Sequence, residues 1–359
     1  MKTNYYTLNN ILKQDALYNM IIGERSNGKT YAVLKYCLEK YFQNSEQAAV
    51  IRRWREDFKG KRALEMFQGL IANDEISKAT NGMYNTVIYK SGRYYLRKYT
   101  ANEDYTAEHP FMLTYALTEM EHDKGGSNPN ITTVFFDEFL TRGSYLPDEF
   151  VIFMNTLSTI IRDRDNVKIF MCANTVNKYC PYFKEMGLFN ITNKMKPGTI
   201  EVYKLDKLKI AVEYSDKKSA AKPSDVYFAF NNPRLKMITE GSWEIDLYPH
   251  LPYKYRPKNV LLTFYIDFDS QLLECEIIGV DSDVFIFIHQ KTTPLKELET
   301  DLIYSTSYSP KPNVRRKITK PILNIEKKIY TLFATDKVFY QDNETGEIVR
   351  NYLEWCKTN

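Results

Sequence analysis

A segment near the start of the chain has the residue types and spacing of a phosphate-binding loop. Beginning at Gly23 it reads Gly-Glu-Arg-Ser-Asn-Gly-Lys-Thr, which matches G-x-x-x-x-G-K-T. Gly23 and Gly28 let the backbone curl around an anion, with successive N–H groups pointing inward. We expect Lys29 to contact the β- and γ-phosphates and the Thr30 hydroxyl to bind Mg²⁺. Asn27 completes the expected nucleotide-binding residues of the loop.

Two adjacent carboxylates supply the second half of a hydrolytic site. Asp137 and Glu138 follow the apolar run in "TTVFFDE", so they should lie where a buried strand ends. Asp137 is predicted to hold Mg²⁺ through water, and Glu138 to polarise an attacking water as a general base. Two acids that simply end a strand would look the same, but their combination with the loop favours ATP hydrolysis. The guanine-reading motif N-K-x-D is absent, because "NKYC" and "NKMK" lack the Asp.

Three polar residues further along are candidates for sensing or completing that site. Asn174 ends the apolar run "VKIFMCAN" and could bond the attacking water or the γ-phosphate, or could simply terminate a strand. Arg162 and Arg164 follow an apolar helical segment. An arginine at a subunit edge can stabilise transition-state charge in a neighbour's site, although solvated arginines would have the same pattern.

A cluster of basic residues follows the second predicted strand. Arg52, Arg53 and Arg55 occur in "VIRRWRED". They could contact phosphate, nucleotide or DNA, or could pair with Glu56 and Asp57.

Short apolar runs alternate with helical patterns in the first half of the chain. This alternation predicts an α/β fold with a mostly parallel sheet. The composition becomes charged and polar after Pro197, whereas "NVLLTFYIDFD", "LLECEIIGV" and "DVFIFIHQ" predict a three-stranded meander later on. We therefore expect a phosphate-loop domain over 1–197, a linker region with one or two short elements over 198–252, and a smaller α+β domain over 253–359.

Composition limits the class of protein. The formal net charge is +4, from 49 basic and 45 acidic residues, which is too small to establish nucleic-acid binding. No run of about 18 apolar residues occurs, so no membrane span is expected. The five scattered cysteines favour free thiols over a disulfide framework.

The motifs together resemble a known family. "GERSNGKT", "VIRRWRED", "TTVFFDEF", "TIIRDRDNVKIFMCANTV" and "CPYF" occur in the same order as in the DNA-packaging ATPases of small podophages of the phi29 type. The resemblance covers roughly residues 15–195 and is weak beyond them. It implies an ASCE P-loop ATPase domain followed by an RNase H-like, vestigial nuclease domain.

The resemblance also implies a mechanism and partners. Members of this family form a ring, expected to be a pentamer, at the portal vertex of an empty prohead in the host cytoplasm. ATP hydrolysis with Mg²⁺ drives double-stranded DNA inward, in some cases with a structural RNA. Arg162 matches an arginine thought to act on the neighbouring subunit's nucleotide. Lys124 matches a lid lysine that also acts across the interface, although this sequence carries an extra Gly-Gly beside it.

Several sequence features leave alternatives open in the C-terminal part and elsewhere. Asp267 and Asp269 are either metal ligands or acids near a turn, and the vestigial domain favours the latter. A basic stretch could contact DNA or a structural RNA, or could be a solvated charge run; it contains Lys311, Arg315, Arg316, Lys317 and Lys320. The predicted hairpin "YKSGRYYLRK" and the region near Arg142 are both candidates for gripping DNA.

Three functions remain under consideration. The first is a ring translocase on double-stranded DNA, and the second is another ASCE nucleic-acid ATPase such as a helicase. The third is a scaffold gated by nucleotide binding without turnover, against which Glu138 argues.

Overall fold

A computed structural model describes residues 5–119, 128–141, 145–175, 180–188, 195–206, 208–217, 248–251, 254–268, 271–295 and 300–358. The chain divides into two compact units, Met1–Glu244 and Ile245–Asn359.

The first unit is built on a ten-stranded sheet within the described residues. In chain order its strands are β1 (Tyr18–Gly23), β2 (Gln47–Arg52), β3 (Thr86–Lys90), β4 (Arg93–Tyr99), β5 (Asp104–Thr106), β6 (Met112–Ala116), β7 (Ile131–Asp137), β8 (Lys168–Asn174), β9 (Thr199–Leu205) and β10 (Leu208–Tyr214). Their order is β3-β4-β6-β2-β7-β8-β1-β10-β9, and β5 pairs with β4. The six strands from β6 to β10 in this order run parallel. The predicted α/β class with a mostly parallel sheet is confirmed.

Helices cover both faces of this sheet. They are α1 (Asn9–Leu12), α2 (Lys29–Asn44), α3 (Arg62–Glu65), α4 (Gln68–Ala72), α5 (Glu75–Ala79), α6 (Glu149–Ile161) and α7 (Pro181–Glu185). Successive strand residues point to opposite faces, so Met20 and Ile22 join one apolar core while Ile21 joins the other with Val33 of α2. This two-sided burial explains why β1, β7 and β8 are apolar runs rather than alternating sequences.

The strand register brings the polar strand ends to one edge of the sheet. Gly23 pairs with Asn174, and Asp137 pairs with Cys172. Ile51 pairs with Phe136, which places Arg52 beside Asp137. The carboxyl edge therefore carries the phosphate loop, both predicted acids and the start of the basic cluster.

The segment expected to be a linker begins with two strands of the first sheet. β10 pairs in parallel with β1, and β9 runs antiparallel to β10. Five consecutive residues of β10, Ile210–Tyr214, are buried, so this strand completes the core beside β1 although the neighbouring turn is rich in lysine. The first compact unit extends to Glu244, and the second begins at Ile245.

The second unit contains a six-stranded sheet in its described part, in the order β15-β14-β11-β12-β13-β16. Its elements are β11 (Val260–Phe268), β12 (Gln271–Val280), β13 (Asp283–Gln290), β14 (Ile303–Ser305), β15 (Val314–Arg315), α8 (Asn324–Ala334), β16 (Val338–Tyr340) and α9 (Asn343–Thr358). β11, β12 and β13 form the predicted antiparallel meander, and β14 lies parallel to β11 on its other side. This unit is the smaller α+β domain predicted after the phosphate-loop domain.

Over the residues that the structure describes, we find no helix whose length and apolar content would let it cross a membrane.

Candidate functional site

The phosphate loop connects β1 to α2 as its motif predicts. The loop leaves β1 after Gly23, and α2 begins at Lys29. Gly28 has φ 97°, a left-handed conformation that a side chain would strain, and a Cβ there would lie 3.4 Å from the ring of Tyr5. The loop geometry therefore depends on glycine at this position.

Lys29 is the buried centre of the loop, with 5% of its surface exposed. Its Nζ donates to the carbonyl oxygens of Gly23 at 3.2 Å and Glu24 at 2.7 Å. It also donates to the side-chain oxygens of Asn27 at 3.1 Å and Asn174 at 3.4 Å. Burial lowers the pKa of Lys29 from 10.5 to about 8, because removing an ammonium from water disfavours its charged form. An anion in the loop would restore favourable surroundings to that charge.

The two predicted Mg²⁺ ligands are in direct contact. The Thr30 hydroxyl donates to Asp137 Oδ1 at 3.0 Å. Asp137 is buried at the end of β7, and its other oxygen pairs with Arg52 Nη2 at 2.5 Å. Hydroxyl and carboxylate oxygens are the hard ligands that Mg²⁺ prefers, so this pair fits that ion.

Glu138 and Asn174 lie beside this pair. Both line a cavity of about 240 Å³ that Asp137 also lines. Glu138 is exposed and has φ 62°, a left-handed conformation that is uncommon for a residue with a side chain. The structure thus brings together the loop, both acids and the polar end of β8, as expected from the sequence.

The basic cluster has partners other than those proposed from the sequence. Arg52 pairs with Asp137, Arg53 with the buried Glu149, and Arg55 with Glu119. The sequence marked Arg52 and Arg53 as candidate phosphate or nucleotide contacts but did not predict their acidic partners, Asp137 and Glu149. The position of these two arginines at the end of a strand indicated that they lie at the sheet edge. The sequence did not show that β7 is the neighbouring strand, and so did not identify their partners.

Arg164 is engaged in a structural role. Its guanidinium donates to five backbone carbonyls, those of Asn128, Pro129, Ile131, Ile160 and Ile161. Two of these carbonyls belong to the last turn of α6 and have no helical partner, so Arg164 caps the helix and ties it to the start of β7. Arg162, by contrast, is exposed and has φ 53° and ψ −126°.

Some predicted residues cannot be placed. Lys124, Arg142 and Asp269 lie outside the described residues.

In the second unit, Asp267 stands beside a hydroxyl rather than a second acid. It pairs in register with Ser305 of β14, and the Ser305 hydroxyl donates to Asp267 Oδ2 at 2.9 Å. A two-metal nuclease site needs several ligands for its ions, and among the described residues this neighbour supplies a hydroxyl rather than a carboxylate.

Another cluster of possible metal ligands in the described part of the chain contains Glu274, Glu276 and His289. Lys291 Nζ lies 2.9 Å from Glu274, and the Tyr255 hydroxyl donates to Glu276. Both carboxylates therefore already have partners within the protein.

The basic stretch is also partly occupied by internal contacts. Arg315 pairs with the buried Glu326 at 2.8 Å, and the Arg316 guanidinium stacks over the ring of Trp355 at 5.2 Å. Lys311 and Lys320 are exposed.

Comparison with known proteins agrees with this arrangement. The podovirus DNA encapsidation protein (Gp16) family profile matches residues 1–219. The DNA packaging protein of Bacillus phage phi29 is 24% identical over 196 residues, which span 54% of this chain and 53% of the relative. The chain thus spans about half the length of this curated relative.

Two solved structures have the same fold over nearly the whole chain. The bacteriophage phi29 viral genome packaging motor assembly is 17% identical, with a TM-score of 0.57 and coverage of 99% of both chains. The phi-28 DNA packaging motor is 18% identical, with a TM-score of 0.56 and coverage of 99% of this chain and 97% of that one. Because the family profile matches more than half of the sequence, the protein belongs to the podovirus DNA encapsidation protein (Gp16) family.

Proposed function

We propose that this protein is the ATP-hydrolysing subunit of a motor that moves double-stranded viral DNA into a prohead. The observation that carries the hydrolytic part is the contact between Thr30 and Asp137. Their oxygens meet at 3.0 Å where the phosphate loop enters α2, beside an exposed glutamate. A scaffold that only binds nucleotide has no need for that glutamate.

The residues of the loop have distinct roles in this proposal. The backbone between Gly23 and Gly28 binds the phosphates, and Lys29 leaves its carbonyl partners for the β- and γ-phosphates. Thr30 and Asp137 would hold Mg²⁺, which supplies charge neutralisation at the phosphates when bound. The ion pair with Arg52 keeps the Asp137 carboxylate oriented towards Thr30.

Glu138 is the proposed general base, and Asn174 the residue that senses the nucleotide. Glu138 lies next to the metal-binding acid and faces the same cavity. Asn174 contacts the Lys29 ammonium, so movement of Lys29 towards phosphate changes the surroundings of the β8 strand end. Hydrolysis would therefore change the contacts of Asn174 at the end of β8.

Arg162 is the proposed arginine acting on a neighbouring subunit, in preference to Arg164. Arg164 is engaged by five backbone carbonyls, whereas Arg162 is exposed at the end of α6. Its backbone angles, φ 53° and ψ −126°, cost roughly 1–3 kcal/mol for a residue that has a side chain. An arginine kept in a glycine-like conformation supports a role for its side chain. Head-to-tail contacts in a closed ring, expected to be a pentamer, would place it at the next site.

Family membership and the names of the related proteins support DNA and a motor assembly as partners, and the sequence resemblance adds the portal vertex and a structural RNA. The proposed partners are double-stranded DNA, the portal vertex of the prohead, other copies of this chain and a structural RNA. Lys124 is proposed to act with Arg162 across the subunit interface. The motor acts in the host cytoplasm while attached to the prohead. The second unit is proposed to lack nuclease activity, because Asp267 is paired with Ser305.

Packaging in vitro tests the function as a whole. Purified proheads, the protein, DNA and ATP are combined, and DNA protected from added nuclease is measured. Protection is expected with wild-type protein and is expected to be lost with Glu138→Gln, which should still bind nucleotide. ATP-dependent separation of a forked duplex without proheads would favour the helicase alternative instead.

Mixed subunits test the action of Arg162 on its neighbour. Arg162→Ala and Glu138→Gln subunits are each expected to lose nearly all hydrolysis. In a mixed ring, a subunit with an intact Glu138 can receive Arg162 from its neighbour, so hydrolysis should partly recover. Absence of recovery in mixed rings of confirmed composition would argue for action within one subunit.

A further inference from the structure

We propose that Arg53 is a positioning residue for ATP hydrolysis: with Glu149 and Tyr182, it holds the backbone at Glu138 so that this carboxylate faces the nucleotide site. The inference rests on the proposed hydrolytic function of the site.

The turn that carries Glu138 is strained. Its φ of 62° places a residue with a Cβ in a left-handed conformation directly after β7. Such a conformation persists only where surrounding contacts fix it. On one side, the N–H groups of Glu138 and Phe139 both donate to the Cys172 carbonyl of β8, at 2.8 and 3.3 Å.

Arg53 fixes the other side of the same turn. Its Nη1 donates to the carbonyl oxygen of Glu138 at 3.3 Å, and its Nη2 donates to that of Phe139 at 3.0 Å. The guanidinium therefore binds two successive carbonyls on the C-terminal side of the strained residue. Arg53 also lines the cavity beside Glu138. Its hydrogen bonds to this turn are all to backbone carbonyls, so the proposed role is to act through Glu138.

A buried network holds Arg53 itself in place. Its Nε and Nη2 donate to the two oxygens of Glu149, at 2.7 and 2.8 Å. The Tyr182 hydroxyl donates to Glu149 Oε1 at 2.6 Å, and the Leu146 N–H donates to Oε2 at 2.8 Å. Arg53, Glu149 and Tyr182 are 6%, 1% and 0% exposed. The ring of Tyr145 lies under the guanidinium, 5.1 Å from its centre.

Only the planar fork of arginine can make this set of contacts. One edge of the guanidinium binds the carboxylate while the remaining N–H groups reach the two carbonyls. A lysine at position 53 would keep the charge but could not meet both sets of acceptors in that geometry. Its ammonium should remain near Glu149 and release the turn.

Kinetics of the full-length protein with proheads and DNA test this role. Arg53→Lys is expected to lower kcat by roughly tenfold to a hundredfold, because misplacing a catalytic group by about 1 Å has effects of that order. The nucleotide KM should change less than about twofold, since the phosphate loop is untouched.

A milder pair of variants covers the case in which Arg53→Lys does not fold. Tyr182→Phe removes one donor to Glu149 and is expected to lower kcat severalfold. Tyr94→Phe is the matched control, because the Tyr94 hydroxyl is equally buried and donates at 2.6 Å to the Ala63 carbonyl, away from the acids. Tyr94→Phe should leave kcat unchanged. Equal kcat values for the two variants would overturn the proposal.

A double-mutant comparison separates positioning from general structural damage. If Tyr182 and Arg53 act through the Glu138 carboxylate, Tyr182→Phe should cause no further loss of rate in a Glu138→Gln background, measured as slow release of labelled phosphate. The same fractional loss in both backgrounds would contradict the proposal. Absence of hydrolysis in the wild-type protein would instead refute the proposed function on which the inference rests.

Discussion

Two arginines separated by one residue are expected to respond in opposite ways to substitution. Arg164→Ala should destabilise the first unit, whereas Arg162→Gly should leave its stability unchanged or slightly higher while removing activity. The contrast follows from the five carbonyls that Arg164 binds and from the strained backbone at Arg162.

The expected loss of stability in Arg164→Ala can be estimated from the contacts of the Arg164 side chain. Hydrogen bonds to charged groups contribute about 1.5–3 kcal/mol each, and a cation at a helix C-terminus about 0.3–1 kcal/mol. Since the side chain is only partly buried, water replaces some of these bonds, and we expect a net loss of roughly 2–4 kcal/mol. For a unit of this size, that corresponds to a fall in Tm of about 5–15 °C.

The expected change in the free energy of unfolding for Arg162→Gly has two opposing contributions. Glycine relieves roughly 1–3 kcal/mol of backbone strain at a positive φ. It also increases the entropy of the unfolded chain, which costs about 0.4–1 kcal/mol. The net effect on the free energy of unfolding should lie between zero and about 2.6 kcal/mol of stabilisation.

Calorimetry and phosphate release measure the two properties separately. Arg162→Gly should melt at or above the wild-type Tm, bind nucleotide normally and lose prohead-dependent hydrolysis. Arg164→Ala should melt lower and, at a temperature where it remains folded, retain nucleotide binding. The reasoning is refuted if Arg162→Gly lowers Tm by several degrees, or if Arg164→Ala melts like the wild type.

Three further outcomes are expected. Lys29→Met should raise the Tm of the protein without added nucleotide, because burial lowers the pKa of Lys29 to about 8 and the buried charge destabilises the fold below that pH. The rise in Tm that added ATP gives the wild type should be absent in the same thermal melts of this variant. Burial raises the pKa of Glu213, which accepts from the Tyr6 hydroxyl. Its contribution to stability is therefore present below about pH 4.5 and lost as pH rises through the folded-state pKa. Urea unfolding should show Glu213→Gln to be more stable than the wild type only above that folded-state pKa. Asp267→Asn should leave packaging unchanged, and the wild-type protein should not nick plasmid DNA with Mg²⁺ or Mn²⁺; metal-dependent nicking that this substitution abolishes would contradict the role inferred from Ser305.

The sequence alone identified those parts of the site that depend on local chemistry. The phosphate loop is one continuous segment whose glycines, lysine and threonine are close in sequence, so its predicted role follows from spacing. Asp137 and Asn174 were placed correctly because a buried strand is an apolar run and the residue after it lies at the sheet edge. The meander of the second unit was predictable for the same reason, since its strands are neighbours in the chain.

Only the tertiary structure decided which side chains act together across the sheet. Arg52 reaches Asp137 and Arg53 reaches the Glu138 backbone because β2 lies beside β7, a neighbour 85 residues away along the chain in both contacts. β10 joins the first sheet by pairing with β1, and β9 joins it by pairing with β10; composition does not reveal either pairing. Arg162 and Arg164 look equivalent in sequence, but the turn after α6 points one into a set of backbone carbonyls and leaves the other exposed. Such differences arise from long-range packing, because a charged side chain's role depends on the partners that the fold places within its reach.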